Sequence, residues 1–427
     1  MGKRLVVLIT VGLTFEGLAG WAAAQPEATP ASITFKDAVD RAVRRNPSAQ
    51  HAAAEILRAQ ALLNEITASI YPSASGNAAA TSLSYGAQLN GQSTTAQNQF
   101  TANLAVTGLL YAPAQWALRV QARDAEHVAE LAAADVGRQV GVAAAQAALA
   151  VIARQRVLDA NIRARDVARA HYDLAHQQQV LGSGSRLNEL RAQQSVSTDE
   201  VLVEQSGATL YLAQEALGVL VADEGPLNIV DEPVFSVPAS LDAAIAAMPE
   251  QRTDLRVAAA REAAAARVFN DSWKDRLPSV SGLFQPQWQH PGTLFQPART
   301  WRAQVAATIP VFDAGLRGAR RAERQVLFDE TKIAQGALLR QAMSDVRAAR
   351  DAAGRAERVV AAARTAAQQA REVVDIVDVS FKVGASTNIE VIDAQRASRD
   401  ADTAAAVADD QFRQAQLAVL VALGQFP

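Results

Sequence analysis

With 427 residues, 41 basic and 44 acidic side chains, the chain is nearly neutral and lacks the positive field that a phosphate backbone demands, so no nucleic-acid partner is expected. Hydrophobic residues make up 49% but aromatics only 5%, much of the difference being alanine, which favours helix yet buries little area; such helices must pack closely along great length. The absence of cysteine excludes a disulfide framework and a lipid-bearing cysteine.

The chain opens on "MGKRLVVLITVGLTFEGLAGWAAAQ", in which Lys3 and Arg4 precede an apolar run and Ala22, Ala23 and Ala24 precede Gln25. This is the grammar of a secretory signal, and cleavage after Ala24 is expected. Glu16 and several glycines interrupt the run, which is short for a bilayer span. Removing residues 1–24 takes away two positive charges and one negative, moving the net charge from −3 to −4. Beyond that point arginine, aspartate or glutamine punctuates every long alanine run, so no transmembrane helix is expected.

Over residues 71–112 the alanine-rich pattern gives way to Ser, Thr, Asn and Gln with alternating apolar positions, which is the pattern of strands. Phe100, Ala102, Leu104 and Val106 fall on one face, and Thr101, Asn103, Ala105 and Thr107 on the other. A very long helix is expected over about residues 114–179, which at 1.5 Å per residue reaches roughly 100 Å. It stops at "VLGSGSRLNEL", where Gly182 and Gly184 turn the chain back into a second helix over about residues 187–222. A proline- and acid-rich stretch, residues 223–240, reads as a connector and small side domain rather than a core element.

The second half repeats the first. "LGSGSRLNELRAQQ" from Leu181 aligns with "VGASTNIEVIDAQR" from Val383 at an offset of 202, pairing Gly182 with Gly384 and Ser185 with Thr387. "IYPSASG" from Ile70 answers "RLPSVSG" from Arg276, and "NLAVTG" from Asn103 answers "QVAATI" from Gln304. Strands are therefore expected over about residues 278–312, with Trp301, Ala303, Val305, Ala307, Ile309 and Val311 on one face and Gln304 and Thr308 opposite. Helices follow over about residues 315–382 and 389–423. The expected domains are a first repeat over residues 25–222, with its tip at 181–186, and a second over 241–427, with its tip at 383–388.

Half-apolar strands about ten residues long suit either a soluble sandwich or a barrel in lipid around a wet lumen. Two strands per half give four per chain, too few to close a barrel. Sheet spanning a bilayer must close, because unpaired edges find no partners in lipid, so a barrel would be shared by several chains.

An exported, cysteine-free, duplicated chain with two short β-hairpins and two long helical hairpins resembles the TolC family of outer-membrane efflux proteins. The likeness is carried by the order of "AVDRAVRRNPSAQHAAAEILRAQA", with its Asn46-Pro47, of "IPVFDAG" and of "FKVGASTNIEVIDAQ". The resemblance implies a mainly α homotrimer whose chains give four strands each to a shared 12-stranded outer-membrane β-barrel, continued across the periplasm by a helical tunnel of duplicated hairpins. It also implies a periplasmic adaptor protein and an inner-membrane transporter as partners, outer-membrane lipid around the barrel, and no cofactor. Gly182, Gly184, Ser185, Gly384 and Thr387 then mark the tips where the aperture is gated and an adaptor docks. The family's aperture acids fall on Glu390 and Asp393 and its gating tyrosine on Phe381, which lacks the hydroxyl. The basic residue that locks the family's gate is replaced by Ser386; with Phe381 this implies either a looser closed state or one locked by other contacts such as Lys382 or Arg186.

The residues also admit plainer readings. Thr387 and Glu390 have the spacing of a capping box, so Glu390 serves as a helix cap on that view. The five histidines are scattered, His171 and His176 lie five apart on different helix faces, and neither a phosphate loop nor a G-x-S-x-G elbow occurs, so neither metal site nor enzyme activity is expected. The alternatives to efflux are an exit duct for protein secretion on the same fold and a periplasmic helical scaffold that transports nothing.

Overall fold

The computed structural model describes residues 30–238 and 241–426; the expected signal segment, residues 1–24, lies outside them. A short strand β1 (Ala31–Ile33) leads into helix α1 (Phe35–Arg45), capped by Thr34 Oγ1 accepting from Asp37 N–H at 3.1 Å. Asn46 then ends one helix and starts the next, α2 (Pro47–Ile70): its Oδ1 accepts from Ser48 N–H at 2.9 Å, and Pro47 occupies the first turn, where a missing N–H costs nothing. The Asn46 Nδ2 donates across the fold to the Leu220 carbonyl at 3.0 Å.

Strands β2 (Ser73–Ser82), β3 (Ala87–Leu89), β4 (Gln92–Thr95) and β5 (Asn98–Tyr111) follow, then helices α3 (Pro113–Val180) and α4 (Arg186–Val221). The second half runs from β6 (Leu227–Ile229) through α5 (Leu241–Gln251), α6 (Thr253–Asn270), a 3-10 turn (Asp271–Arg276), β7 (Ser279–His290), β8 (Arg299–Thr308), α7 (Leu316–Lys382) and α8 (Asn388–Leu423). Strands β2, β5, β7 and β8 form one antiparallel sheet in that order, leaving β2 and β8 as open edges.

The principal core sits around the middle of the long helices. Ala38 and Ala42 of α1 meet Ala144, Ala145 and Ala148 of α3, all fully buried, and Leu217, Val221 and Leu417 close the other side. Alanine at each of these contacts lets helix backbones approach closely, which the composition requires. A second core, around Met248, Ala342, Val346, Val419 and Leu423, stands at the corresponding place in the other repeat.

Three expectations need correction. The connector is not peripheral: Leu227 and Ile229 are buried in the principal core, β6 pairs parallel with β1, and Phe235 packs edge-on against Phe35 at 5.9 Å. An extra hairpin, β3–β4, lies between the two long strands of the first repeat, tied to the β7–β8 loop by Leu294 N–H donating to the Ser93 carbonyl at 2.8 Å. Finally, α3 does contain an 18-residue window apolar enough for a membrane, at mean hydropathy 1.4, but 44% of that window is buried inside the fold. Its apolar residues include Leu149, Val151 and Ile152 of the principal core, so protein covers this part of the helix.

Candidate functional site

The sheet has two chemically different faces. In antiparallel pairs, opposed residues share a face, so the register can be read as rows across all four strands. One row runs Ala74, Val106, Phe284, Ala303; Gly108, Gly282 and Val305 line up beside it. A row of opposite parity runs Asn77, Asn103, Gln287, Thr300. The first face is apolar from edge to edge and carries Trp301, 71% exposed, and Val305, 70% exposed. The second is polar and partly cross-linked by its own side chains, as where Arg302 Nη2 donates to Gln285 Oε1 at 2.7 Å and Asn77 Nδ2 to Asn103 Oδ1 at 3.5 Å. Leu283, between Thr107 and Gln304, breaks this face's polarity.

Ala307 belongs to the apolar rows, opposite Val280. Ile309 does not lie in the strand: β8 ends at Thr308, and Pro310 follows with no N–H to extend the ladder. Ile309, Val311 and Phe312 are instead exposed where the sheet meets α7. Aromatic rings gather at both ends of the apolar band. Phe100, Phe284, Trp288 and Trp301 cluster toward the loops, with Phe100 and Trp288 edge-on at 5.6 Å, while Tyr111, Trp116 and Trp273 stand at the helical end.

At the far end of the helices, each hairpin turns on a glycine in the left-handed region, Gly182 at φ +77° and Gly384 at +79°, conformations that side chains with a Cβ rarely adopt. Gly184 N–H donates to the Gln178 carbonyl at 2.8 Å, and Ala385 N–H to that of Ser380 at the same distance. The returning helices are capped alike. Ser185 Oγ accepts from Asn188 N–H at 3.2 Å, and Thr387 Oγ1 from Glu390 N–H at 3.4 Å.

Glu390 is a cap: its Oε2 accepts from Thr387 N–H at 2.6 Å, completing the capping box. Those bonds from Thr387 hold its carboxyl below the usual glutamate value, so it stays charged into mild acid. Asp393, one turn on, is exposed, and among the described residues it makes no ion pair. Phe381 is buried and meets the imidazole of His171 with ring centroids 5.1 Å apart.

Neither expected basic lock crosses between hairpins. Lys382 Nζ binds Asp378 of its own helix at 2.6 Å, and Arg186 binds Glu189 of its own helix. Glu189 also accepts from His176 Nδ1 at 2.7 Å, and His176 with Arg186 holds its carboxyl below the usual value. The hairpins are joined by other residues. Arg156 of α3 reaches Asp409 of α8 at 3.2 Å, Arg399 of α8 reaches Asp199 of α4 at 2.6 Å, and nearest the tips His171 Nε2 donates to Asn388 Oδ1 at 2.8 Å. Sequence reading weighed His171 and His176 only as a metal pair by spacing. The partner of His171 is 217 residues away, and no local signal marks it. No group of side chains suited to hold a metal ion occurs among the described residues.

Residues 245–425 match the family model described as "Outer membrane efflux protein". A search of the curated proteins returns no match. Among solved structures, the chain resembles a membrane protein from Pseudomonas aeruginosa at 19% identity and TM-score 0.79, covering 91% of this chain and 93% of that one. It resembles the CmeC outer membrane channel of Campylobacter jejuni at 16% identity and TM-score 0.75, with 92% and 86% covered. The open state of the Neisseria gonorrhoeae MtrE outer membrane channel matches at 16% identity and TM-score 0.76, with 91% and 88% covered. The second repeat thus matches the outer membrane efflux model, and over both repeats the chain has the fold of the outer membrane channels it resembles.

Proposed function

We propose that three copies assemble as one conduit, each giving its four strands to a twelve-stranded barrel in lipid and its two helical hairpins to a tunnel wall in the periplasm. The observation that carries this reading is the sheet. It is apolar across one face and polar across the other, and it has two open edges. In hydrocarbon such edges must be paired, and closure on neighbouring copies pairs them all. Trp301, Val305 and Ala307 then meet lipid, with aromatic girdles above and below, and Gln304 and Asn103 line the lumen. The single chain exposes 26816 Å², against roughly 16,000 Å² for a compact monomer of its mass, which is the surplus expected of a subunit without its neighbours.

In this conduit the tips at Gly182 and Gly384 form the periplasmic mouth. A periplasmic adaptor docks on them and an inner-membrane transporter supplies the exported substrate, while the chain itself catalyses no reaction and needs no cofactor. Nothing in the lumen-facing row selects small molecules over a secreted protein, and that choice belongs to the transporter. Purified full-length protein added to a planar lipid bilayer is expected to insert and give discrete ion-conducting steps. A protein that neither inserts nor conducts would favour the scaffold reading.

A further inference from the structure

The polar links between the hairpins form a line down their seam, at Asp409, Arg399 and Asn388 of α8. The first two are ion pairs of arginine with aspartate. The link nearest the tips is a neutral histidine. We infer that His171 is a titratable fastener between the two hairpin tips, holding them together when neutral and releasing them when protonated. Its meaning as a gate rests on the channel reading above; its structural content does not.

His171 is 4% exposed and Asn388 3% exposed. With Nε2–H donating to Asn388 Oδ1, the Asn388 amide is left to donate onward to the Asn188 carbonyl at 3.3 Å, so one asparagine ties α3, α4 and α8 together. Phe381 of α7 closes the site edge-on. His171 Nδ1 is buried and has no hydrogen-bond partner among the described residues. A proton arriving there becomes a buried donor that faces no acceptor, on a ring that has lost its neutral state.

The charged groups around it offer little relief. From α7, Asp378 attracts the imidazolium, but that carboxylate is already bound by Lys382. From α4 and α8 the facing groups are the neutral Asn188 and Asn388, and the acid of the first tip, Glu189, is bound by His176 and Arg186. Burial accordingly pushes the His171 pKa below its ordinary 6.5, against the opposing effects of Asn388 and Asp378. The released form therefore binds the proton more readily than the fastened form. The fastener is complete above the ordinary histidine value and weakens as pH falls below it, by up to about tenfold in the closed-to-open ratio per pH unit and per copy. The two links higher in the seam pair arginine with aspartate and contain no histidine, so the seam opens from its tip and not along its length.

Because the chain has no cysteine, Ser183→Cys and Ala385→Cys place one label on each tip. Tip-to-tip distances are then read by electron double resonance on full-length protein in detergent. Dilution with unlabelled chain leaves one labelled copy per assembly. The expected result is a single short distance at pH 7.5 and an added longer population at pH 5.0. His171→Gln, which keeps a neutral donor but cannot take up the proton, should abolish the acid response. Asn388→Asp, which offers the imidazolium a carboxylate, should keep the tips together at pH 5.0. Identical wild-type distributions at the two pH values, or full acid opening in His171→Gln, would overturn the inference. Either result would leave the bilayer conductance untouched, and that separates this failure from failure of the channel reading.

Discussion

Val305→Arg should block assembly in the membrane, whereas Gln304→Arg, one residue away, should be tolerated. Val305 lies well inside β8 on the apolar face, beside Gly282 and in line with Gly108, so no neighbouring side chain can shelter a guanidinium. An arginine facing lipid near the bilayer midplane costs about 2–4 kcal/mol, and a symmetric assembly carries that cost once per chain. Gln304 lies on the opposite face, in the row of Thr107, where a charge meets water in the lumen. The check is the fraction of each variant recovered as assembled protein from outer membranes. Equal recovery of both variants would mean that the sheet is a soluble one with a wet face.

The second large effect is expected at the mouth. Asp393 and Glu390 lie one turn apart at the start of α8, both exposed. In the proposed three-copy conduit the pair would become about six carboxylates around one axis, a ring that favours cations and can hold a multivalent one. The capping role of Glu390 does not remove its charge, and the bonds from Thr387 keep it ionised. It does allow a clean experiment, because glutamine also fills the third position of a capping box. Glu390→Gln therefore removes charge while preserving the helix start, and Asp393→Asn removes a carboxylate that makes no ion pair among the described residues. In planar bilayers the double variant should lose cation preference and show weaker block by trivalent metal ions added from the periplasmic side. Wild-type selectivity in the double variant would make both acids ordinary surface charges.

The parts of this fold that could be read from the sequence are those set by local signals. The long helices end where a glycine with positive φ and a Ser or Thr cap follow one another, and both can be recognised within a few residues of "LGSGS" and "VGAST". The strand faces follow from simple alternation, which the register extends across four strands. The misses have a common cause in distance along the chain. Leu227 and Ile229 look like isolated apolar residues in an acidic connector until β6 is seen to pair with β1, nearly two hundred residues earlier. Ile309 kept the alternation, but Pro310 removes the N–H that would carry the ladder forward. At the tips, sequence marked Phe381 and sought a charged lock beside it. The contact it makes is with a histidine on the other hairpin, and the asparagine that completes the link had no motif of its own.

The account depends most on assembly, since every functional statement places this chain beside copies of itself. The most direct test is the mass of the purified mature protein in mild detergent, by light scattering with the detergent contribution subtracted. Three chains per particle, stable on dilution and requiring detergent for solubility, is the predicted result. A detergent-free, soluble monomer that keeps its full helical content would contradict it, because the open edges and apolar face of the sheet would then need no neighbours.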